Sequence, residues 1–197
     1  MRTRLIALLL LLIVSATSCA ASWSRAVDAV AASTLQLWCQ PHNQPLCSAF
    51  SINQREGYYI TAAHCLEEGE PVIGDFEVGV VVFRDDAMDV AVVRFDSIKL
   101  PALQARIEAL RTGDEIAGFG FAYGLDTPLF RTAVVSGLAS SGWVAFDKAW
   151  IGGMSGGPIV DGRGRVVGIV QKGDTVAAWA VPMWKVVELT APYWESQ

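Results

Sequence analysis

The stretch GGMSGGP, residues 152–158, places one hydroxyl between two pairs of glycines and ends in a proline. Glycine loses more conformational freedom on folding than any other residue, so such a cluster indicates a backbone that adopts conformations closed to other residues or approaches another group closely. The residues that follow, Asp161-Gly162-Arg163-Gly164, read as a hairpin tip between Ile159-Val160 and Val166-Val167. Ser155 is therefore expected on a loop directly before a strand, a common place for catalytic groups.

The composition predicts a globular protein that does not bind nucleic acid. The chain has 197 residues, of which 52% are hydrophobic and 18% charged, enough for a substantial core. Its 15 Lys and Arg against 20 Asp and Glu give a net charge of −5, and phosphate binding depends on a density of cations that is missing here. The two histidines, His42 and His64, limit any mechanism that needs an imidazole.

The N-terminus has the order of an export signal. Arg2 and Arg4 precede the apolar run Leu5–Val14, and small residues follow over positions 15–21. The run is too short to span a bilayer comfortably. We therefore predict a signal peptide over residues 1–20 and a folded domain over residues 21–197, with an uncleaved N-terminal anchor as the alternative.

A second interpretation of the same segment is a lipoprotein signal. The stretch Ala16-Thr17-Ser18-Cys19 resembles the lipobox of bacterial lipoproteins, in which the cysteine is acylated and attaches the protein to a membrane, although Ala16 stands where a larger aliphatic residue is usual. Cleavage after Ala20 or Ala21 would use the same small residues. The expected location is periplasmic, extracellular or membrane-anchored through Cys19.

The body of the chain predicts an all-β protein. Short runs rich in β-branched and aromatic residues recur between turn residues, as in a sandwich or a pair of barrels. A short helix is expected over Trp23–Ala32, and a closing helix over Met183–Leu189 with Val186, Val187 and Leu189 facing inward. The predicted strands are Leu35–Trp38, Ser48–Ile52, Tyr58–Thr61, Val78–Phe83, Val90–Phe95, Glu115–Phe119, Phe130–Ser136, Trp143–Phe146, Val166–Gln171 and Ala177–Val181.

Ser155 has candidate partners elsewhere in the chain. A serine hydroxyl is a weak nucleophile that needs a base within hydrogen-bond reach, and the base needs a group to orient it. His64 follows the predicted strand Tyr58–Thr61, and Asp89 stands at the head of the strand Val90–Phe95. The three residues occur in the order His, Asp, Ser.

These residues lie in motifs that resemble those of the trypsin/chymotrypsin-like serine peptidases. The segments TAAHC (61–65), MDVAVV (88–93) and GMSGGP (153–158) are the three family motifs in the family order, within a resemblance that runs from Leu35 to Leu189. Membership would imply an all-β fold of two six-stranded antiparallel barrels with a short C-terminal helix. The site would lie between the barrels.

The resemblance also implies a role for each site residue. Ser155 would attack the scissile carbonyl of a polypeptide, His64 would move the proton, and Asp89 would orient His64, with no metal or cofactor. The backbone N–H groups of Gly153 and Ser155 would form the oxyanion hole. Gly156 and Gly157 would keep the far side of the serine uncrowded.

The family also suggests how the cysteines pair. In its secreted members a cysteine on the strand before the histidine loop bridges the cysteine after the histidine, which here implies a disulfide between Cys47 and Cys65. Cys39 is then unpaired or competes for Cys47. A zinc set of Cys39, His42, Cys47 and Cys65 is a weaker alternative, because the spacings match no common zinc motif. We otherwise expect His42 to be a surface residue.

The sequence departs from the digestive members of the family at Met154. Those enzymes have an aspartate at this position, which pairs with a newly cut N-terminus and activates the site. Without it, the oxyanion loop must be held by packing or ordered by substrate. Three other segments, residues 113–120, 132–136 and 178–182, resemble the bacterial, HtrA-like branch, and no PDZ domain is expected because the chain stops at Gln197.

The family resemblance also implies, by position relative to Ser155, which residues form the pocket for the substrate residue on the N-terminal side of the cleaved bond. Its base is expected from Ala149 and Trp150, and one wall from Gln171, Lys172 and Gly173. Ala149 supplies no carboxylate for a basic side chain, no histidine precedes Gln171 to bind glutamate, and Trp150 would make the pocket shallow. We therefore predict a preference for small or medium apolar side chains.

Two other functions fit the same residues. A peptide-binding protein could keep the triad with an unformed oxyanion hole, which Met154 would mark. An esterase could use the same machinery on an activated acyl group, although the chain lacks the nucleophile elbow and strand–helix alternation of the commoner esterase fold.

Overall fold

The computed structural model describes residues 23–39, 44–66, 72–123, 125–173 and 177–194. Within them, strands β1 to β6 close into one barrel in the order β1-β2-β3-β6-β5-β4, and β7 to β12 close into a second in the order β10-β11-β12-β9-β8-β7. Every pair of neighbouring strands is antiparallel. The predicted fold class, a double six-stranded barrel, is confirmed.

The elements have the following bounds. The first barrel consists of β1 Thr34–Cys39, β2 Gln44–Asn53, β3 Tyr58–Thr61, β4 Val72–Gly74, β5 Glu77–Asp85 and β6 Val90–Arg94. The second consists of β7 Glu115–Gly120, β8 Leu129–Leu138, β9 Val144–Phe146, β10 Pro158–Val160, β11 Val166–Gly173 and β12 Ala178–Pro182. Helix α1 covers residues 23–32, helix α2 covers Met183–Thr190, and two 3₁₀ turns cover Ala63–Cys65 and Ala191–Tyr193.

Buried side chains form one cluster inside each barrel and a third between them. The interior of the first barrel includes Leu37, Tyr59 and Phe95, and that of the second includes Ile116, Phe146 and Val170. The third cluster joins both barrels and both helices through residues Val30, Phe50, Ile60, Val92, Phe119, Ile169 and Val186. Strand β6 contributes to two clusters, which explains why it reads as a continuous apolar run rather than an alternating one.

The closing helix is present, but its buried face differs from the prediction. Val186 is buried as expected, whereas Val187 and Leu189 are only half-buried. The buried positions are Met183, Val186 and Thr190, which follow the three- and four-residue spacing of a single helical face. The Thr190 hydroxyl donates to the Val186 carbonyl at 2.7 Å, which satisfies this polar group in the core.

Two of the twelve described strands are missing from the predicted set: β10, which was expected only as the first arm of the hairpin before residues 161–164, and β4, which was not expected at all. Strand β4 has only three residues, Val72–Gly74, and completes the first barrel by pairing with β1 and β5. The predicted signal segment, with Cys19, and His42 lie outside the described residues. No helix in the described part of the chain is long and apolar enough to cross a membrane.

Glu77 on β5 anchors the loop that follows β6. Its carboxylate accepts hydrogen bonds from the N–H groups of Asp96, Ser97 and Ile98 at 2.6–3.1 Å. Burial by itself would raise the pKa of this carboxyl, but the backbone hydrogen bonds to Ser97, Asp96 and Ile98 outweigh it and lower the pKa below its ordinary value. The ionised form of Glu77 is therefore favoured in the folded state.

A pH-dependent loss of stability should follow from this arrangement. Because the folded-state pKa is depressed, the contribution of Glu77 is fully present above its ordinary pKa of 4.5 and is lost as the pH falls through the lower folded-state value. Glu77→Gln should lower the thermal midpoint at neutral pH, and its difference from the wild type should shrink at about pH 3.5.

Glu56 provides the control. Its carboxylate makes one ion pair, with the Arg55 guanidinium at the long distance of 3.9 Å, and a solvent-exposed pair of this kind contributes little to stability. Glu56→Gln should leave the thermal midpoint nearly unchanged at both pH values. A Glu77→Gln difference of equal size at both pH values would contradict the role of the ionised carboxylate.

Candidate active site

His64 and Asp89 lie next to each other at one end of the first barrel. His64 is on the 3₁₀ turn Ala63–Cys65 after β3, and Asp89 comes directly before β6, the strand that pairs with β3. The His64 backbone N–H donates to Asp89 Oδ1 at 2.8 Å, and the ring Nδ1 donates to Oδ2 at 2.7 Å. Both carboxylate oxygens thus orient His64, and its ring Nε2 is left for another partner.

The backbone of Asp89 is held from the other barrel. Its φ of 57° lies in the left-handed region, which aspartate tolerates better than most residues. Gln171 on β11 donates from its side-chain Nε2 to the Asp89 carbonyl at 2.7 Å. Gln171 is almost fully buried. Sequence reasoning placed it only in the pocket wall and missed this link.

Ser155 lies on the loop before β10, as predicted, and shares a cleft with His64. The cleft has a volume of about 420 Å³ and is lined by His64, Trp150, Ile151, Gly152, Ser155, Gln171 and Gly173. The Ser155 hydroxyl donates to the Gln171 carbonyl at 3.2 Å, and no hydrogen bond within the described chain joins it to His64. A hydroxyl has only one proton to donate, so Ser155 would have to leave the Gln171 carbonyl before it could donate to His64 Nε2.

Three backbone donors in the loop around Ser155 have no partner among the described residues. The N–H groups of Met154, Gly156 and Gly157 donate to carbonyls of Ile151, Val170 and Met154 at 2.7–3.0 Å. The N–H groups of Gly152, Gly153 and Ser155 donate to none of the described residues. Those of Gly153 and Ser155 are the pair predicted for the oxyanion hole.

Three of the four glycines in the loop lie so close to other parts of the protein that a Cβ would collide. A Cβ at Gly153, whose φ is 95°, would collide with the Phe121 carbonyl oxygen. At Gly156 it would collide with Ser48 and Thr61 in the first barrel, and at Gly157 with the Phe119 carbonyl in the second. Gly156 and Gly157 were expected to keep the far side of the serine uncrowded. The structure shows that the loop at these two glycines lies tightly between strands of the first and the second barrel.

The sequence and the fold were compared with known proteins. Residues 47–169, more than half of the chain, match the family described as the trypsin-like peptidase domain. The chain belongs to this family. Among its curated relatives is the magnetosome formation protease MamE of Magnetospirillum gryphiswaldense, 29% identical over 136 residues that make up 60% of this chain and 18% of MamE. Another is HhoB of Synechocystis, named as a serine protease, 27% identical over 146 residues, 66% of this chain and 35% of HhoB.

Solved structures share the fold. The serine endoprotease from Yersinia pestis superposes with a TM-score of 0.76 at 19% identity, over 87% of this chain and 66% of that one. The HtrA-type protease AlgW, solved with a tripeptide, gives 0.73 at 24% identity, over 86% and 62%. The chain spans about a fifth to a third of the length of the two curated relatives and about two thirds of these structures.

The trypsin-like domain has the disulfide that the resemblance implied. Cys47 on β2 is bonded to Cys65, which directly follows His64, with their Cα atoms 5.9 Å apart. The bond ties the histidine turn to the barrel wall. It also consumes two thiols of the four-residue zinc set considered from the sequence, so that set is not formed. The side chain of Cys39 is not described.

Met154 explains how this trypsin-like loop is held without the ion pair of the digestive enzymes. Its side chain is fully buried in the core of the second barrel, in the same cluster as Phe146 and Trp150. Of the two mechanisms expected from the sequence, the structure favours packing over ordering by substrate.

Three of the five predicted pocket residues line the cleft. They are Trp150, Gln171 and Gly173. Ala149 is half-buried and is not part of the lining, and the side chain of Lys172 is not described. Trp150 is mostly buried and packs against Gly118, where a Cβ would approach its ring to 2.7 Å. Of the two residues predicted at the base of the pocket, Trp150 lines the cleft and Ala149 does not.

A pair of adjacent glycine variants tests the account of the loop. Gly153→Ala should destabilise the fold by at least about 1–2 kcal/mol, because alanine must adopt a left-handed conformation and its Cβ collides with Phe121. Gly152→Ala should change the free energy of unfolding by less than about 0.5 kcal/mol, since a Cβ added at Gly152 would have no atom within 4 Å apart from its chain neighbours. Denaturant unfolding measures both, and equal losses would show that the loop is not wedged at Gly153.

Proposed function

We propose that this protein is an exported serine endopeptidase that hydrolyses peptide bonds through an acyl-enzyme intermediate. One observation carries the proposal: His64, held by both oxygens of Asp89, shares a cleft with Ser155, beside the N–H groups of Gly153 and Ser155, which have no partner among the described residues. Membership in the trypsin-like peptidase domain family supports the same chemistry.

The first half of the reaction forms the acyl-enzyme. Ser155 Oγ leaves the Gln171 carbonyl and attacks the substrate carbonyl carbon, while its proton passes to His64 Nε2. Asp89 stabilises the resulting imidazolium. The negative charge on the substrate oxygen is met by the N–H groups of Gly153 and Ser155, at roughly 3 kcal/mol per donor. The C–N bond then breaks, and His64 returns the proton to the leaving amine.

The second half hydrolyses the ester. A water molecule attacks the acyl carbon and gives its proton to His64, and the same two N–H groups stabilise the second oxyanion. The ester bond breaks, Ser155 recovers its proton from His64, and the carboxylic acid product leaves. The steps use only side chains and backbone groups of this chain, without a metal or cofactor.

The proposed substrate is a polypeptide with a small or medium apolar residue before the cleaved bond. The described lining of the cleft contains no carboxylate to pair with lysine or arginine. The indole of Trp150 at its base favours apolar contact and limits depth.

Export is proposed on two grounds. The first 20 residues have the charged, apolar and small-residue segments of a signal peptide, in that order, and Cys19 ends a stretch that resembles a lipobox. The disulfide between Cys47 and Cys65 is of a kind that persists in oxidising compartments. Acylation of Cys19 would add attachment to a membrane.

A peptide-library digest tests both activity and specificity. The wild type should cleave after small and medium apolar residues, and Ser155→Ala should lose cleavage while keeping its thermal midpoint within a few degrees, because the change removes one partly buried hydroxyl. Cleavage after arginine, lysine or glutamate would contradict the proposed pocket.

Two further outcomes of the digest decide against the proposal. If Ser155→Ala does not fold, Ser155 is a packing residue. If the folded wild type binds peptides but never cleaves them, the protein is the peptide-binding alternative, and the bond from Ser155 to the Gln171 carbonyl is its permanent arrangement.

A further inference from the structure

Ser48 is a buried polar residue whose every hydrogen-bonding group is used. It lies on β2 of the first barrel, directly after Cys47, and is fully buried. Its carbonyl accepts from the Thr61 hydroxyl at 2.8 Å, and its Oγ accepts from the Phe121 N–H at 2.8 Å. Satisfied polar groups in a low-dielectric site hold their partners in one arrangement.

The two remaining groups of Ser48 bind the oxyanion loop. Its hydroxyl donates to the Gly153 carbonyl at 2.8 Å, and its backbone N–H donates to the Ser155 carbonyl at 2.8 Å. Gly153 and Ser155 are the residues proposed to form the oxyanion hole, and their N–H groups have no partner in the described part of the chain. Ser48 therefore fixes, from the opposite barrel, the carbonyl of each residue that would donate to the oxyanion.

The hydroxyl contact matters most at Gly153. This residue has no side chain to pack, and glycine rotates freely about both backbone bonds. Neighbouring Met154 is anchored by its buried side chain, whereas Gly153 is held only through its backbone, by its close approach to Phe121 and by the bond from Ser48. With the Gly153 carbonyl bonded to Ser48, the peptide unit that follows Gly153 is held, which restricts the rotations about φ, here 95°, and ψ that would turn the Gly153 N–H away.

We propose that the Ser48 hydroxyl is a positioning group that pre-forms the oxyanion hole by holding the Gly153 carbonyl. The inference rests on the proposed peptidase function. In this chain no ion pair at position 154 can order the oxyanion loop. The Ser48 hydroxyl from the first barrel and the packing of Met154 would order it instead.

Ser51 offers a matched control on the same strand. It is also a fully buried serine on β2, and its hydroxyl donates to a carbonyl, that of Leu100, at 2.9 Å. This partner belongs to the loop after β6 and has no hydrogen bond to the cleft. Ser51→Ala therefore removes the same kind of interaction from the same strand without touching the oxyanion loop.

The kinetic test compares Ser48→Ala with Ser51→Ala on one cleaved peptide. Removing an oxyanion donor outright costs about 10²–10³ in kcat. Because Ser48→Ala only releases such a donor from its position, we expect kcat to fall about ten- to a hundredfold with KM changed less than about twofold. Ser51→Ala should keep kcat within about twofold, although both variants lose a similar amount of thermal stability. Equal kcat values in the two variants would overturn the proposal.

The affinity for an inhibitor that forms an oxyanion reports on the oxyanion hole and does not change merely because the fold is less stable. For a peptidyl trifluoromethyl ketone, Ser48→Ala should weaken inhibition by about the factor lost in kcat/KM, as expected of a transition-state analogue. An uncleaved peptide of similar sequence should bind both variants alike. Equal loss of affinity for the two ligands would indicate general disorder of the cleft instead. If Ser48→Ala does not fold, Ser48→Cys, which keeps the side-chain volume and replaces the hydroxyl with a weak thiol donor, serves for both assays.

Amide NMR of the unliganded proteins separates this inference from the proposed function. In Ser48→Ala the Gly153 and Ser155 amide resonances should shift and broaden, and in Ser51→Ala they should not. Unchanged resonances in Ser48→Ala would overturn the positioning role. If the wild type proves to have no peptidase activity, the proposed function fails, and the NMR comparison still decides whether Ser48 holds Gly153.

Discussion

The contact between the two barrels is the constraint on which the rest of the structure depends. His64 and Asp89 come from the first barrel and Ser155 from the second, so no single barrel contains the site. An apolar cluster shared by both barrels fixes their relative position. Polar bonds then refine it at the site itself, from Gln171 to the Asp89 carbonyl and from Ser48 to the Gly153 and Ser155 carbonyls. Buried bonds of this kind are costly to break and so preserve one arrangement of the catalytic groups.

The glycine-rich loop lies at this contact between the barrels. At three of its four glycines, Gly153, Gly156 and Gly157, neighbouring atoms leave no room for a Cβ, while the buried Met154 side chain anchors the loop to the second core. The N–H groups of Gly153 and Ser155, like that of Gly152, have no partner in the described chain. Leaving donors unpaired costs free energy, which the surrounding packing offsets and which an oxyanion would recover.

Much of the fold and the site could be predicted because the informative motifs are local. The strand before His64, the strand after Asp89 and the hairpin after Ser155 all have patterns that depend on neighbouring residues, and the structure confirms each position. What the sequence could not predict depends on tertiary contacts. Strand β4 is too short to show a period, the bond from Gln171 to the Asp89 carbonyl joins residues far apart in the chain, and nothing near Ser48 in sequence indicates that its hydroxyl reaches residue 153.

The central claim is that the two barrels together activate the Ser155 hydroxyl. Labelling of the purified protein with a fluorophosphonate probe tests it most directly, because the reaction requires both a nucleophilic serine and a working base. The account predicts that the wild type is labelled at Ser155, that Ser155→Ala is not labelled, and that His64→Ala is labelled far more slowly. A folded wild type that resists the probe, or labelling that persists in Ser155→Ala, would contradict it.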